Sequence, residues 1–120
     1  MATGTGIAPF AAMARGGVRD FLLLHGVRES AELYYEDLFS DAAAQVVPCL
    51  TGRGTGGGSR PQHAFPGRVT VYIEAHLPRK PYDFYLCGRE EMIRDVTFLV
   101  DEAFPGSRVY SEIFFAGARD

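Results

Sequence analysis

Three short stretches of this chain carry residue types suited to chemistry at a bound ligand. Near the start, Thr3-Gly4-Thr5-Gly6-Ile7-Ala8-Pro9 combines a tight turn, a glycine that lets backbone approach a ligand, and a helix N-terminus aimed at that ligand. Together these make an anion site for a pyrophosphate. The pattern is G-x-G-x-x-P rather than G-x-G-x-x-G, and a purely structural turn accounts for a lone glycine pair as well. The second stretch, Cys87-Gly88-Arg89-Glu90-Glu91-Met92, follows an apolar run. A thiol at the carboxyl end of a parallel strand lies in the crevice where open α/β sheets bind ligands. Taken alone, a cysteine after Leu86 is more simply a buried hydrophobe, and no base stands near it in sequence to activate it. The third is Glu112-Ile113-Phe114-Phe115, where the aromatic pair is core or edge filler unless a ring must cover a planar cofactor.

Charge distribution adds to this. The chain is 120 residues long with a formal net charge of −3, which argues against general nucleic-acid binding. Between Asp41 and Glu74 it has no acidic residue, while Arg53, Arg60, His63 and Arg68 fall there. An acid-free, arginine-bearing stretch in an acidic chain suits a phosphate-bearing ligand, although a solvated loop explains it too. Cys49 and Cys87 lack C-x-x-C spacing, and the three histidines show no zinc-ligand spacing with either, so no metal site is expected. No apolar run approaches the roughly 20 residues that span a bilayer, and no signal-peptide pattern follows Met1. A cytoplasmic setting without membrane contact is the expectation.

The elements that must position these residues follow from periodicity. Ile7–Arg15 reads as a helix with Pro9 in its first turn, where a missing N–H costs nothing. Gly16-Gly17 end it. Arg19–Val27, with its continuous Phe-Leu-Leu-Leu core, reads as a strand buried on both faces, the mark of a parallel sheet covered by helices. Ser30 caps a short amphipathic helix through Leu38. Ala44–Leu50 is the next strand, with Pro48 suited to its end. Thr51–Gly67 is a flexible loop, and Val69, Tyr72, Ile73 and Leu77 return to helical spacing. Asp83–Cys87 is a strand stopped by Gly88. Glu90–Phe104 is the clearest helix, and after the Pro105-Gly106 break Arg108–Phe115 closes as a strand. The alternation implies one α/β domain over residues 1–120, a doubly wound parallel five-stranded sheet. Only Met1, Ala2 and Thr3 precede the glycine turn, so its first strand is largely missing. In a central position that would leave its neighbours without ladder partners, which suggests a truncated or fragmentary chain, or a partner segment that completes the sheet.

In this order the motifs resemble the nucleotide-binding domain of the ferredoxin–NADP reductase family. T-G-T-G-I-A-P, L-L-H-G-V-R-E-S, Y-L-C-G-R-E-E-M and the terminal V-Y-S-E-I-F-F carry the resemblance, which runs from Thr3 to Phe115. It implies strand order 3-2-1-4-5, NADP or NAD as the nucleotide, and a hydride relay from its reduced form to a flavin, with electrons passed on to a ferredoxin, flavodoxin or oxygenase-type acceptor. It places Thr3, Gly4, Thr5, Gly6, Ala8 and Pro9 against the pyrophosphate. Cys87 and Gly88 line the nicotinamide pocket with Met92, and Glu112 stands nearby, with Cys87 and Glu112 as catalytic candidates. Arg28, with Arg53 and Arg68 from the following loop, resembles a clamp for the 2′-phosphate of NADP. Glu29 instead would suit the free 2′-hydroxyl of NAD, and Arg28 could also serve only as a surface ion-pair partner. Family members carry FAD on a preceding β-barrel that nothing in this chain resembles, so FAD is expected from an absent N-terminal FAD-binding domain.

Other readings fare less well. Arg53-Gly54-Thr55-Gly56-Gly57-Gly58-Ser59 lacks the lysine of a nucleoside-triphosphate loop, the chain's only lysine being Lys80. In order 3-2-1-4-5 the cysteines end strands roughly 14 Å apart, too far for a disulfide, and both are expected free. A non-catalytic NAD(P)-binding module uses the same Gly4, Gly6 and Arg28 and stays open as the alternative.

Overall fold

The computed structural model describes residues 1–52 and 64–113. Five parallel strands form one sheet: β1 (Ala2–Thr3), β2 (Leu22–Val27), β3 (Gln45–Leu50), β4 (Asp83–Gly88) and β5 (Arg108–Ile113). Their order is β3-β2-β1-β4-β5, as expected. Four helices cover it: α1 (Ala8–Arg15), α2 (Glu36–Ala42), α3 (Val69–His76) and α4 (Glu90–Ala103). Alternation along each strand feeds two cores. Leu24, Val47, Phe84 and Leu86 meet Val69 and Ile73 of α3 and Met92, Val96 and Val100 of α4 on one face. Ala2 and Leu23 meet Ile7, Ala11 and Ala14 around α1 and Phe39 and Ala42 of α2 on the other. Fully burying each such aliphatic side chain contributes about 1.5–3 kcal/mol, so the two faces together hold the sheet rigid beneath the site.

β1 is two residues long, yet it occupies the sheet centre. Ala2 pairs with His25 on one side and Cys87 on the other, and Thr3 with Gly26. The stretch read as one helix from Ser30 is broken. A 3-10 turn covers Ser30–Glu32, and α2 begins only at Glu36 because Tyr35 adopts a left-handed conformation (φ +63°) that no helix tolerates. Pro48 lies inside β3 rather than ending it, and pairs with His25. Thr51 donates to the Val27 carbonyl of β2, whereas the Pro48 carbonyl accepts from Phe65 on the outer side. The missing N–H of Pro48 therefore points away from β2, and the ladder loses nothing.

Arg53, Arg60 and His63 lie outside the described residues, as do Phe114 and Phe115 and most of the Thr51–Gly67 loop. Among the described residues no helix is long and apolar enough to cross a membrane, and no three metal-ligating side chains cluster.

Candidate nucleotide-binding site

The chain leaves β1 through a 3-10 turn, Gly4–Ile7, and enters α1 with Pro9 in its first turn, where its absent N–H is not needed. Gly4 has φ +52°, and a side chain there would meet nothing within 4 Å. Its backbone is left-handed and faces open space, the geometry a close-approaching anion needs. Gly6 is different. A Cβ built on it would collide with the Cys87 carbonyl oxygen and come within 2.8 Å of Gly88 Cα. Gly6 is thus demanded by the packing of the turn on β4 before any ligand arrives.

Two hydrogen bonds fix this end of the sheet. The Arg89 N–H donates to Thr3 Oγ1 at 3.0 Å, tying the end of β1 to the end of β4. His25, only 3% exposed, reaches the Gly4 carbonyl through Nε2 at 3.1 Å. Burial lowers the His25 pKa, with the Gly4 carbonyl opposing that shift. A neutral imidazole with its proton on Nε2 donates to this carbonyl and holds the turn.

A cavity of about 310 Å³ opens beside the turn. Thr3 and Gly4 form its floor, Gly26 and Arg28 its β2 side, Arg68 and Thr70 its α3 side, and Arg89 and Met92 its α4 side. It lies at the carboxyl ends of the strands beside the β1–β4 junction, where the strand order reverses, the place where open α/β sheets receive ligands. Arg68 and Arg89 occupy the N-caps of α3 and α4, so both helices begin at the cavity. Arg28 and Arg68 are exposed. Glu32, the acid nearest Arg28 in sequence within this cavity, accepts from the backbone N–H groups of Arg28 and Glu29 through Oε1 at 3.0 and 2.9 Å. Glu91 and Asp95 complete the rim on α4.

Of the residues expected at the site, Thr3, Gly4, Arg28, Arg68 and Met92 come together around this cavity. Gly6 and Gly88 lie directly beneath and beside the turn. Ala8 and Pro9 open α1, and Thr5 is in the turn itself. Cys87 pairs with Ala2 and with Glu112, so the thiol, the turn and the carboxylate share one sheet edge. The thiol is nonetheless 2% exposed and does not line the cavity. Burial pushes its pKa up, and the Glu112 carboxylate adds to that. Arg53 lies outside the described residues. His25 and Arg89 were not singled out from the sequence. A histidine inside the apolar Leu22–Val27 run and an arginine at a helix N-cap were the signals available. Both cysteines are free, as expected.

A larger cavity, about 530 Å³, lies toward the amino ends of β2 and β4, among Leu22, Leu24, Asp83 and Tyr85, away from this chemistry.

Comparison with known proteins agrees with this geometry. The family model described as an oxidoreductase NAD-binding domain matches residues 1–97. The toluate 1,2-dioxygenase electron transfer component of Pseudomonas putida is 32% identical over 98% of this chain and 37% of its own length. The xylene/toluene monooxygenase electron transfer component of the same organism is 29% identical over 78% of this chain and 29% of its own length. The chain therefore spans about a third of these relatives. Among solved structures, the flavohem-like FAD/NAD-binding domain of nitric oxide dioxygenase from Vibrio cholerae O1 biovar El Tor superposes with a TM-score of 0.64 at 19% identity, over 94% of this chain and 48% of that one. That similarity shows the shared fold. With a family match across four-fifths of its length and a relative of this identity, the chain belongs to the oxidoreductase NAD-binding domain family.

Proposed function

We propose that this chain is the nicotinamide-nucleotide-binding half of a flavin-dependent reductase. In this reading the nucleotide lies across the carboxyl edge of the sheet, with its pyrophosphate on the Gly4–Gly6 turn and its adenosine phosphate toward Arg28 and Arg68. The observation that carries it is Gly4. It presents left-handed backbone to open space at the strand-order reversal, inside a cavity bordered by three arginines. The lining suits a dianionic linker because the first turns of α3 and α4 and three guanidinium groups border the cavity. When bound, the nicotinamide supplies hydride and a flavin accepts it. The work of this chain is to bind and orient. The FAD belongs, in this proposal, to a separate flavin-binding domain, and the electron acceptor is a redox protein such as a ferredoxin or an oxygenase component. Two of the relatives are named as electron transfer components of oxygenases, which supports that acceptor class. Cys87 and Glu112 are assigned to the nicotinamide end, supported by their pairing across β4 and β5 beside the turn. The buried thiol acts there by filling space and positioning the ring rather than as a thiolate.

Arg28 and Arg68 favour NADP over NAD in this reading. Calorimetric titration of the wild-type chain and of Arg28→Ala with NADPH and NADH tests it. Loss of a charge-assisted bond to the 2′-phosphate costs roughly 1–3 kcal/mol, so NADPH should weaken about fivefold or more while NADH changes little. Equal losses for both nucleotides defeat the clamp, and no binding of either defeats the site.

A further inference from the structure

Arg28 is exposed, yet its main chain is held on both sides. Its N–H donates to Glu32 Oε1 at 3.0 Å, and its carbonyl accepts from the Gly52 N–H at 2.8 Å. Glu29 donates to the same Glu32 oxygen at 2.9 Å, and the Val27 carbonyl accepts from Thr51 at 3.0 Å. The bonds from Thr51 and Gly52 carry the β2–β3 ladder past Val27 and Leu50, the last paired residues of the two strands. The carbonyl side is thus fixed by backbone alone, while the N–H side depends on one side chain.

Glu32 reaches back because the chain turns. The 3-10 turn Ser30–Glu32 closes with the Glu32 N–H on the Glu29 carbonyl at 3.0 Å, which folds the carboxylate over the N–H groups before it. Glu32 also borders the nucleotide cavity beside Arg28, whereas Glu29 packs against Gly52, where an added Cβ would collide with its carboxylate. Both bonds fall on a single Glu32 oxygen. They require two lone pairs rather than a charge. The charge itself stands on the wall assigned to the 2′-phosphate and opposes it. One side chain therefore has two effects of opposite sign on bound NADP.

We propose that Glu32 is a positioning residue for the nucleotide, a role that rests on the reading of Arg28 as the 2′-phosphate clamp. Through the Arg28 and Glu29 N–H groups it presents the Arg28 guanidinium to the 2′-phosphate. Arg28 follows the last residue of β2, where the strand no longer dictates the direction of the side chain. An exposed guanidinium whose main chain also had to be ordered on binding would lose affinity for both. With the N–H and the carbonyl already held, only side-chain torsions remain to be set. NADH has no 2′-phosphate and gains nothing from this order.

Calorimetry with NADPH and NADH compares wild type, Glu32→Ala, Glu32→Gln, Arg28→Ala and the Arg28→Ala/Glu32→Ala pair, alongside thermal melts. Glu32→Ala should weaken NADPH about fivefold and NADH less than about twofold. Glu32→Gln keeps the accepting oxygen and drops the charge, so it should bind NADPH at least as tightly as wild type. Once Arg28 is alanine, removing Glu32 should cost NADPH nothing further, because residues that act through one another are not additive. Contact of Glu32 with the ribose would instead weaken NADH in both Glu32 variants, and a purely electrostatic role would tighten NADPH in both. Either result overturns the assignment, as does a glutamine variant no better than alanine or an equal loss of both nucleotides. Should Glu32→Ala melt below the titration temperature, Glu32→Asp replaces it, with a carboxylate one methylene short of the two N–H groups. Aspartate must then lose NADPH affinity that glutamine keeps. An unchanged NADPH-to-NADH ratio in Arg28→Ala brings down the clamp itself. A ratio that falls in Arg28→Ala but not in Glu32→Ala leaves the clamp standing and removes only Glu32.

Discussion

Gly6 rests on the carbonyl of Cys87, so closely that no side chain fits between the turn and β4. The phosphate-turn candidate and the backbone of Cys87 are therefore parts of one packed unit, not two features that meet through a ligand. A glycine expected for ligand approach is needed first for the approach of backbone to backbone, and the neighbouring Gly4 is the one that faces the cavity.

The two glycines should therefore fail in different ways. Gly6→Ala forces the turn off β4 and should destabilise the fold by roughly 1–3 kcal/mol, seen as a fall in Tm of several degrees. Gly4→Ala meets no atom and costs roughly 1–2 kcal/mol for a left-handed alanine, but it projects a methyl toward the ligand and should weaken NADPH binding more than Gly6→Ala does per degree of Tm lost. Parallel melts and titrations decide. A Gly6→Ala protein with unchanged Tm would contradict the packing described.

His25 should act on binding without touching the nucleotide. Its Nε2 holds the Gly4 carbonyl, so His25→Phe keeps the apolar volume but releases the turn, at a cost of about 0.5–1.5 kcal/mol for the lost bond. We expect NADPH affinity to fall several-fold in His25→Phe and to recover substantially in His25→Gln, whose amide can donate in the same direction. Equal affinity for the phenylalanine and glutamine variants would show that the bond does not position the turn.

Much of the frame was legible in the sequence, and the reasons are specific. The continuous apolar run Phe21–Leu24 reads as a strand with helices on both sides, and the Met92, Val96 and Val100 spacing as a helix against it. Gly4, Arg28 and Met92, picked out by motif and resemblance, line one cavity. What escaped was set by contacts between distant residues. The link from His25 to the Gly4 carbonyl spans 21 positions and leaves no local signature. Tyr35 adopts a left-handed conformation with no glycine or asparagine to announce it. Pro48 is tolerated in mid-strand only because its nitrogen happens to face the sheet's outer edge. Arg89 lay within a motif already noted, yet only its position at the head of α4 turns it toward the cavity.

Stability of the chain starting at Met1 should depend on pH in a defined window. Burial lowers the pKa of His25 below its ordinary 6.5 and that of the Met1 amino group from 8.0 to about 5. The unfolded chain thus binds more protons than the folded one in this range, so stability is present above pH 8 and is lost as pH falls toward 5. At the alkaline end the sign reverses, because burial raises the Cys49 thiol from 9.0 to about 12, and the unfolded chain loses that proton first. Tm should therefore peak between about pH 8 and 9. Acetylation of the amino terminus should remove the Met1 part and confine the acid loss to below about pH 6.5. A flat profile from pH 5 to 8 would mean that neither group is buried as described.

The thiols offer the last test, because it separates positioning from nucleophilic chemistry. Cys49 and Cys87 are 0% and 2% exposed, and burial raises both pKa values. Near neutral pH both are thiols, and a thiol is a poor nucleophile compared with its thiolate. Iodoacetamide should modify neither in the folded protein faster than the protein opens, whereas both should react readily in concentrated guanidinium. If Cys87 orients the nicotinamide, saturating NADPH should slow its labelling beyond the general stabilisation reported by Cys49. In protein carrying the flavin domain, Cys87→Ala should then lower the rate of hydride transfer more than it raises the dissociation constant. Cys87→Ser, similar in size, should recover more of that rate than alanine does. Rapid alkylation of Cys87 in the native state would contradict the burial. A Cys87→Ala protein with altered binding but normal hydride transfer would remove Cys87 from the nicotinamide end and leave it a packing residue beneath Gly6.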